Sequence, residues 1–279
     1  MVHVAQSTAV IRPQEPHSFL AMTDLPATAR ATAPSPEPVV LSWSGGKDSA
    51  LALAALRGDP RFEVVALLTT VTDAYDRISI HGVRRSLLDQ QVRSLGLPLH
   101  EIVLQPNCSN ELYDAAVERA LSDVRRRYPT VRRVAYGDLF LEDVRRYREQ
   151  RLSPLGFEGL FPIWGRATSE LADQFIDAGF EARLVCVDTT QLDGAFAGRA
   201  FDRTLLAHLP PSVDRCGERG EFHTFCHSGP MFDSPIPVSL GEKVERDGFW
   251  FADLGPAKVD GDATPLQGAD GESVATLSD

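Results

Sequence analysis

The stretch SGGKDS, residues 44–49, combines the groups that an anion site needs. Its glycines let the backbone approach a ligand closely, Lys47 carries a full positive charge, and its serines donate hydrogen bonds. Asp48 would repel a bound phosphate unless a cation such as Mg²⁺ bridged the two groups. We therefore predict that this stretch binds phosphate and that Asp48 holds Mg²⁺. It is not a G-x-x-x-x-G-K loop, because Leu41 stands where that motif requires glycine.

A second stretch, CGERGEFHTF at residues 216–225, places two carboxylates and an imidazole close together. Side chains alternate along a strand, so Glu221 and His223 would share one face, with Glu218 nearby. Such groups could orient an ammonium ion, relay its proton or bind a metal. A salt-linked surface hairpin is the alternative. A zinc site is a further alternative, although the spacing lacks the usual cysteine pair. Its ligands would be Cys216, His223, Cys226 and His227.

The segments around SGGKDS predict that it is a turn between a strand and a helix. Residues 39–41 form an apolar run typical of a buried strand, and residues 50–56 form an Ala/Leu pattern typical of a helix. The first N–H groups of a helix are unpaired and its dipole is positive at that end, which favours an anion there. A glycine-rich turn with a serine cap would be the purely structural alternative.

Strand-like and helical patterns alternate along most of the chain. Strands are predicted at residues 39–43, 62–71, 100–104, 131–137, 159–164 and 181–188, and helices at 46–57, 81–95, 109–127, 139–151 and 168–178. This alternation predicts an α/β fold with a doubly wound, mostly parallel, Rossmann-like sheet. Ligands of such sheets bind at the carboxyl ends of the strands, where SGGKDS lies.

The pattern changes after about residue 195. A short helical run at 201–209 precedes the second chemical stretch, and residues 238–254 predict a hairpin that turns at Asp247-Gly248. We predict a larger domain at 38–195 and a smaller α+β domain at 196–255. The ends, residues 1–37 and 256–279, are rich in small and polar residues and are predicted to be disordered.

Composition limits the classes of partner. The formal net charge of −11 argues against bulk electrostatic binding to nucleic acid or to a membrane. The cysteines form no C-x-x-C pair, which favours a reduced, cytoplasmic compartment. We see neither a signal-peptide core in the first 37 residues nor an apolar run long enough to span a membrane.

SGGKDS after a first strand resembles the PP-loop of the ATP pyrophosphatases, which have a Rossmann-like adenine-nucleotide-binding fold. Three further stretches are YDRISIHGVR (75–84), LFPIWGR (160–166) and CGERGEFHTFCHSGPMF (216–232). Together they resemble the diphthine-ammonia ligase family, in its bacterial-type members, over about residues 38 to 255. The resemblance implies a ligase that uses ATP and Mg²⁺ to adenylate a carboxyl or carbonyl group. Pyrophosphate leaves first, and ammonia then displaces AMP.

The implied site has a nucleotide part and a catalytic part. The nucleotide is expected to contact Ser42, Ser44, Gly45, Gly46, Lys47, Asp48, Ser49, His81, Gly137 and Arg166. Catalysis is expected to involve Lys47, Asp48, Asp138, Glu218, Glu221 and His223. Asp138 follows a predicted strand and could hold Mg²⁺ or the amine, or simply cap a helix. His81 could equally be a helix cap.

The acceptor stays open at this stage. His223 stands where archaeal and eukaryotic relatives carry a carboxylate, so the acceptor could be a protein side chain or a metabolite. Two other functions stay open: a PP-loop enzyme that modifies tRNA or a metabolite, and an ATP or AMP sensor without turnover. An arginine-rich region at residues 125–151 could grip an anionic acceptor or RNA, or could form solvated, salt-linked faces.

Overall fold

The computed structural model describes residues 35–78, 82–106 and 108–257. The predicted disordered ends lie outside this part of the chain, except for residues 35–37 and 256–257, of which Glu37 belongs to the first strand and Pro256 to the last. His81, predicted to contact the nucleotide, also lies outside the described residues.

A six-stranded, mostly parallel sheet forms the larger part of the fold. Its strands are β1 (Glu37–Ser42), β2 (Phe62–Thr72), β3 (Arg77–Ile78), β4 (Leu99–Leu104), β5 (Arg133–Ala135) and β6 (Glu158–Leu160). The pairs β4–β2, β2–β1, β1–β5 and β5–β6 are parallel, whereas β3 runs antiparallel to the end of β2. The predicted sheet is therefore confirmed.

Helices pack on both faces of this sheet. They are α1 (Lys47–Arg57), α2 (Arg85–Leu95), α3 (Asn110–Arg127), α4 (Glu142–Leu152), α5 (Thr168–Asp177) and α6 (Arg203–His208). The side chains of β1 alternate between the faces: Val39 and Leu41 join the core around α1 and α2, and Val40 joins the core under α3. The doubly wound arrangement is thus confirmed. None of the described helices is long and apolar enough to cross a membrane.

A four-stranded antiparallel sheet forms the smaller part. Its strands are β7 (Glu181–Asp188), β8 (Phe222–Ser228), β9 (Val238–Arg246) and β10 (Phe249–Pro256), in the order β8-β7-β10-β9. The prediction that β7 continues the parallel sheet is wrong, since β7 pairs antiparallel with β8 and β10. Its run of buried residues is typical of a central strand in either kind of sheet, so the pattern alone cannot distinguish them.

The predicted hairpin at the end of the chain is confirmed. Strands β9 and β10 are joined by Asp247 and Gly248, whose φ angles are 51° and 82°. Two consecutive positive φ angles are typical of the tight turns that match the twist of a hairpin.

One hydrophobic core joins the two sheets. It contains Leu53 of α1, Phe175 of α5, Leu184 of β7 and Phe222 of β8. The smaller sheet is therefore packed against the helix that begins in the SGGKDS stretch.

Candidate active site

The SGGKDS stretch is the turn between β1 and α1, as predicted. Gly46 precedes the helix in an extended conformation and, as a glycine, offers no side chain to cap its first turn. Gly45 has a φ of 78°, a left-handed conformation that favours glycine. The Ser44 Oγ accepts a hydrogen bond from the N–H of Gly46 at 3.3 Å and lies 3.3 Å from the Ser49 Oγ. Backbone and hydroxyl donors therefore converge at the positive end of α1.

Gln91 of α2, which the sequence analysis did not select, fixes the shape of this loop. Its side chain is fully buried. Its Nε2 donates to the carbonyl oxygens of Gly45 (3.0 Å) and Cys226 (2.6 Å), and its Oε1 accepts from the indole N–H of Trp43 (3.0 Å). One side chain thus ties the loop, the preceding strand end and β8 together.

Lys47 points into the protein. Its side chain is 2% exposed, and its Nζ donates to Asp48 Oδ2 at 2.9 Å and to the carbonyl oxygen of Cys216. The rings of Phe201 and Phe222 lie 5.7 and 5.4 Å from the ammonium group. Burial disfavours the ammonium form, but the attraction of nearby anionic groups, Asp48 first among them, outweighs it and raises the pKa of Lys47. The lysine stays charged.

Asp48 has one oxygen paired and one unpaired. Oδ2 accepts from Lys47, whereas Oδ1 is buried and has no hydrogen-bond partner among the described residues. Burial raises the pKa of Asp48, and the neighbouring ammonium only partly opposes this effect. A buried carboxylate oxygen without a partner is energetically costly unless a bound group satisfies it.

Strand β8 meets the loop through Thr224 and Phe222. Thr224 Oγ1 accepts a hydrogen bond from the backbone N–H of Lys47 at 3.0 Å. Since side chains alternate along a strand, His223 points to the other face of β8. Thr224, which the sequence analysis did not select, therefore joins β8 to the loop.

The segment 214–221 before β8 is a turn held by its own carboxylates. Glu221 is buried, and it accepts hydrogen bonds from the N–H groups of Asp214 (2.8 Å) and Arg219 (2.9 Å). The Asp214 carboxylate in turn accepts from the N–H groups of Cys216 (2.9 Å) and Glu218 (3.2 Å). In this structure Glu221 shapes the turn.

Glu218 reaches from this turn to the end of β5. Its Oε1 accepts from the N–H of Leu139 at 2.7 Å and from that of Phe140 at 3.4 Å. Burial and the nearby carboxylates of Asp48 and Asp138 raise its pKa to about 7, against the effect of the Leu139 hydrogen bond. This half-buried carboxyl group can therefore take up or release a proton near neutral pH.

Gly137 and Asp138 bring the end of β5 against α1. A Cβ on Gly137 would lie 2.7 Å from the backbone carbon of Asp48, so only glycine permits this approach. Asp138 forms a two-point ion pair with Arg148, at 2.5 and 3.0 Å, and the guanidinium lies 4.2 Å from the centre of the Tyr136 ring. Arg148 thus occupies both Asp138 oxygens.

Arg166 lies near the same edge. It is exposed and forms no ion pair with the part of the chain that the structure describes. The N–H of its neighbour Gly165 donates to the carbonyl of Leu139 at 2.8 Å, so Arg166 lies beside the backbone that Glu218 contacts.

Most arginines of the region 125–151 are paired. The ion pairs are Arg126–Asp123, Arg133–Glu158, Arg145–Glu149, Arg148–Asp138 and Arg151–Asp114. These contacts agree with the alternative in which the region forms salt-linked faces.

The described residues contain no group of three or more His, Cys, Asp or Glu side chains placed to hold a metal. The zinc alternative is not assembled: the thiol of Cys216 donates to the carbonyl of Thr168, and that of Cys226 to the carbonyl of Ser228.

A groove of about 770 Å³ opens beside the loop, between β3 and the β9–β10 hairpin. Ile78 lines it, and the same side chain lies 3.5 Å from where a Cβ on Gly45 would stand. Phe249 and Phe251 line the hairpin side, with ring centres 6.4 Å apart. Asp253 pairs with Arg77 at 3.0 Å and closes one wall.

A glycine-rich loop between a strand and a helix, at the carboxyl edge of a parallel sheet, is typical of nucleotide-binding α/β proteins. Residues 38–157 match the family described as the diphthamide synthase N-terminal domain, and residues 167–262 match the diphthamide synthase C-terminal domain. The chain belongs to this family, which is a family of ATP-dependent ligases.

A curated relative is similar over most of the chain. This is the diphthine–ammonia ligase of Rattus norvegicus, 24% identical over 245 residues, which covers 78% of this chain and 89% of the relative. The resemblance predicted from SGGKDS and the stretches at 75–84, 160–166 and 216–232 is thereby confirmed.

Proposed function

We propose that the protein forms an amide or other C–N bond with ATP as the activating reagent. An acceptor carboxylate or carbonyl oxygen attacks the α-phosphorus of ATP, the bond to pyrophosphate breaks, and an adenylated acceptor forms. The nitrogen of ammonia then attacks the activated carbon, and AMP leaves with the bonding electron pair. The observation that carries this proposal is Glu218, whose carboxyl group lies between the nucleotide loop and the end of β5.

The loop supplies the binding energy for the phosphates. Its glycines allow close approach, Ser44 and Ser49 supply hydroxyl groups, and the start of α1 supplies a favourable dipole and the backbone N–H groups that follow the Lys47 N–H, which Thr224 holds. The unpaired Oδ1 of Asp48 fits a cation at this position. Mg²⁺ held there would neutralise the charge of the leaving pyrophosphate.

The groove beside Ile78 has the position and size for the adenosine part of ATP. It has apolar walls formed by Ile78, Phe249 and Phe251, and Ile78 also packs near Gly45. Its volume of about 770 Å³ is within the range of ordinary ligand sites. The aromatic hairpin would cover the base while the loop holds the phosphates.

Glu218 is the group best placed to accept a proton from ammonium. Ammonium has no free electron pair, so it must lose a proton before it attacks carbon. A carboxyl group with a pKa of about 7 is substantially ionised at neutral pH and can take that proton. The second proton leaves as the amide forms, and the same carboxyl group can pass it to solvent.

The acceptor is a molecule that bears a carboxyl or carbonyl group, either a protein side chain or a metabolite. It would approach over the rim formed by Leu139, Arg166 and Glu218, which the hydrogen bonds to the Leu139 backbone hold together. The exposed guanidinium of Arg166 could orient an anionic acceptor there. We place the reaction in the cytoplasm, with free ammonium or a partner protein as the source of nitrogen.

The proposal is tested by the products formed from ATP. Purified protein is incubated with ATP, Mg²⁺, ¹⁵N-ammonium and fractions of host extract, and AMP, pyrophosphate and ¹⁵N-labelled products are measured. We expect AMP and pyrophosphate in equal amounts, only with an active fraction, together with one ¹⁵N atom in the product. The variant Asp48→Asn should lose this activity, and Asp89→Asn, which changes an exposed aspartate of α2, should retain it.

Two outcomes would contradict the proposal. Formation of ADP in place of AMP would exclude adenylation. Tight ATP binding without turnover in every fraction would instead support a nucleotide sensor.

A further inference from the structure

Lys47 differs from the rest of the loop because its charged end faces the smaller sheet. The side chain is 2% exposed, and its ammonium group contacts Asp48 Oδ2 within the loop and, outside it, the Cys216 carbonyl and the ring faces of Phe201 and Phe222. To reach a bound phosphate, the ammonium would have to leave these partners. The SGGKDS pattern by itself suggests the opposite, since a lysine in a phosphate loop is expected to bind the phosphates.

The contact with Cys216 determines where Glu218 lies. Cys216 and Glu218 belong to one tight turn, because the Asp214 carboxylate accepts hydrogen bonds from both of their N–H groups. Lys47 holds this turn from the side of α1, and Glu218 extends from it to the backbone of Leu139. The turn is therefore fixed at one end to α1 and at the other to the segment after β5.

We propose that Lys47 is a positioning residue, whose ammonium group holds the Cys216 turn against α1 and so places Glu218 beside the reacting groups, and that it does not bind the phosphates of ATP. This inference rests on the proposed function, because the position of Glu218 matters only if a proton is removed there.

Lys47 also acts on Glu218 through its charge. The carboxylates that face Glu218 are those of Asp48 on α1 and Asp138 after β5, and Arg148 pairs with Asp138. Lys47 is the cation that lowers the pKa of Glu218 against these two carboxylates. Removing the charge should therefore raise the pKa of Glu218 and move the acidic limb of the rate profile to higher pH.

The test compares three variants. Lys47→Met removes the ammonium and keeps the chain length, Lys243→Met makes the same change at an exposed lysine, and Ser44→Ala removes a hydroxyl group from the phosphate loop. ATP affinity is measured by calorimetry and AMP formation by chromatography from pH 5.5 to 9. For Lys47→Met we expect an ATP Kd within about threefold of wild type and turnover reduced roughly 100-fold, as for a misplaced catalytic group.

Ser44→Ala should instead weaken ATP binding by about tenfold, the effect of roughly one lost hydrogen bond to a charged group. Lys243→Met should match wild type in both measurements. If folded Lys47→Met, checked by circular dichroism, lost ATP affinity as Ser44→Ala does, Lys47 would be a phosphate ligand and the inference would be wrong.

Two measurements separate this inference from the proposed function and from a folding failure. In ¹⁵N-lysine spectra of the wild type, the buried Lys47 ammonium should keep its resonance when ATP and Mg²⁺ are added, and a large shift would show phosphate contact. The ¹³C titration of the Glu218 carboxyl, assigned with Glu218→Gln, should give a different pKa in Lys47→Met: a higher one if only the nearby charge is lost, and a lower one if the carboxyl group has moved out of its buried position. An unchanged pKa would contradict the positioning role. Absence of turnover in the wild type would overturn only the proposed function.

Discussion

At the scale of single residues, Glu218 is the group whose ionisation should control the rate. Because its pKa is raised to about 7, the rate of product formation in the wild type should rise through an acidic limb near that pH. Glu218→Gln cannot accept a proton, so we expect turnover to fall by about 10²-fold or more and the limb to disappear, while ATP binding remains. Rates of AMP formation against pH test this expectation.

The same substitution has an effect on stability with a defined sign. A carboxyl group whose pKa is higher in the folded state binds more protons when folded, so folding stability falls as pH rises from its unfolded value, 4.5, towards 7. The Glu218→Gln variant has no carboxyl group at this position, so it does not lose stability in this way. Its free energy of unfolding, relative to that of wild type, should therefore be greater at pH 8 than at pH 5. Urea unfolding at the two pH values measures it; a pH-independent difference would mean that the pKa of Glu218 is not raised.

Glu221 should act through the turn that it holds. Glu221→Ala leaves the N–H groups of Asp214 and Arg219 without their acceptor, which should lower the free energy of unfolding by about 1–3 kcal/mol. We expect ATP affinity to remain and product formation to fall, because Glu218 belongs to this turn and is displaced when the turn changes. Calorimetry and AMP assays separate the two effects, and lost ATP affinity in a folded variant would place Glu221 in the nucleotide site.

The sequence identified the residues of the loop but not those that hold it. SGGKDS is contiguous, so its chemistry and its turn could be predicted together. Thr224 and Gln91 contact the loop from 177 and 46 positions away, and such contacts leave no local signal for Thr224. Gln91 does leave one, since it is a polar residue among the buried positions of α2, between Leu87 and Leu95.

At the scale of elements, the β9–β10 hairpin should contribute to ATP affinity. Phe251 lines the hairpin side of the groove, and its ring lies 3.2 Å from where a Cβ on Gly82 would stand, so its removal opens that wall. We expect Phe251→Ala to raise KM for ATP about tenfold, with little change in kcat at saturation. Initial rates at varied ATP concentration measure both.

Leu240→Ala is a matched control for this element, because Leu240 is an exposed apolar side chain of β9 outside the groove. It should leave KM for ATP unchanged. If Phe251→Ala also left it unchanged, the adenosine part of ATP would have to lie elsewhere.

Helices and turns, which depend on neighbouring residues, were predicted well from the sequence. The pairing of strand β7 with other strands was not. The hairpin turn follows from Asp247-Gly248, and the predicted helices appear close to their expected bounds, except that α2 begins at Arg85 and not at residue 81. Strand β7 shows why topology is harder: its buried run fits a parallel or an antiparallel neighbour equally well. Only the partners β8 and β10, distant in sequence, determine that it is antiparallel.

At the scale of the whole molecule, we propose that the two sheets supply different parts of the site. The larger sheet presents the loop and one wall of the groove. The smaller sheet supplies the hairpin, and the turn before its strand β8 supplies Glu218. Neither part forms the site alone, since Lys47 and Gln91 each join the loop to segments of the smaller unit. The relative position of the two sheets is therefore a condition for chemistry.

This dependence predicts a single cooperative unfolding transition. The core that contains Leu53, Phe175, Leu184 and Phe222 runs through both parts, so losing either part exposes apolar surface of the other. We expect one calorimetric transition with equal calorimetric and van't Hoff enthalpies. ATP with Mg²⁺, at a hundredfold excess over Kd, should stabilise the protein by roughly 2.7 kcal/mol and raise Tm by roughly 5–10 °C. Two transitions, with only the first shifted by ATP, would show that the larger sheet binds the nucleotide independently.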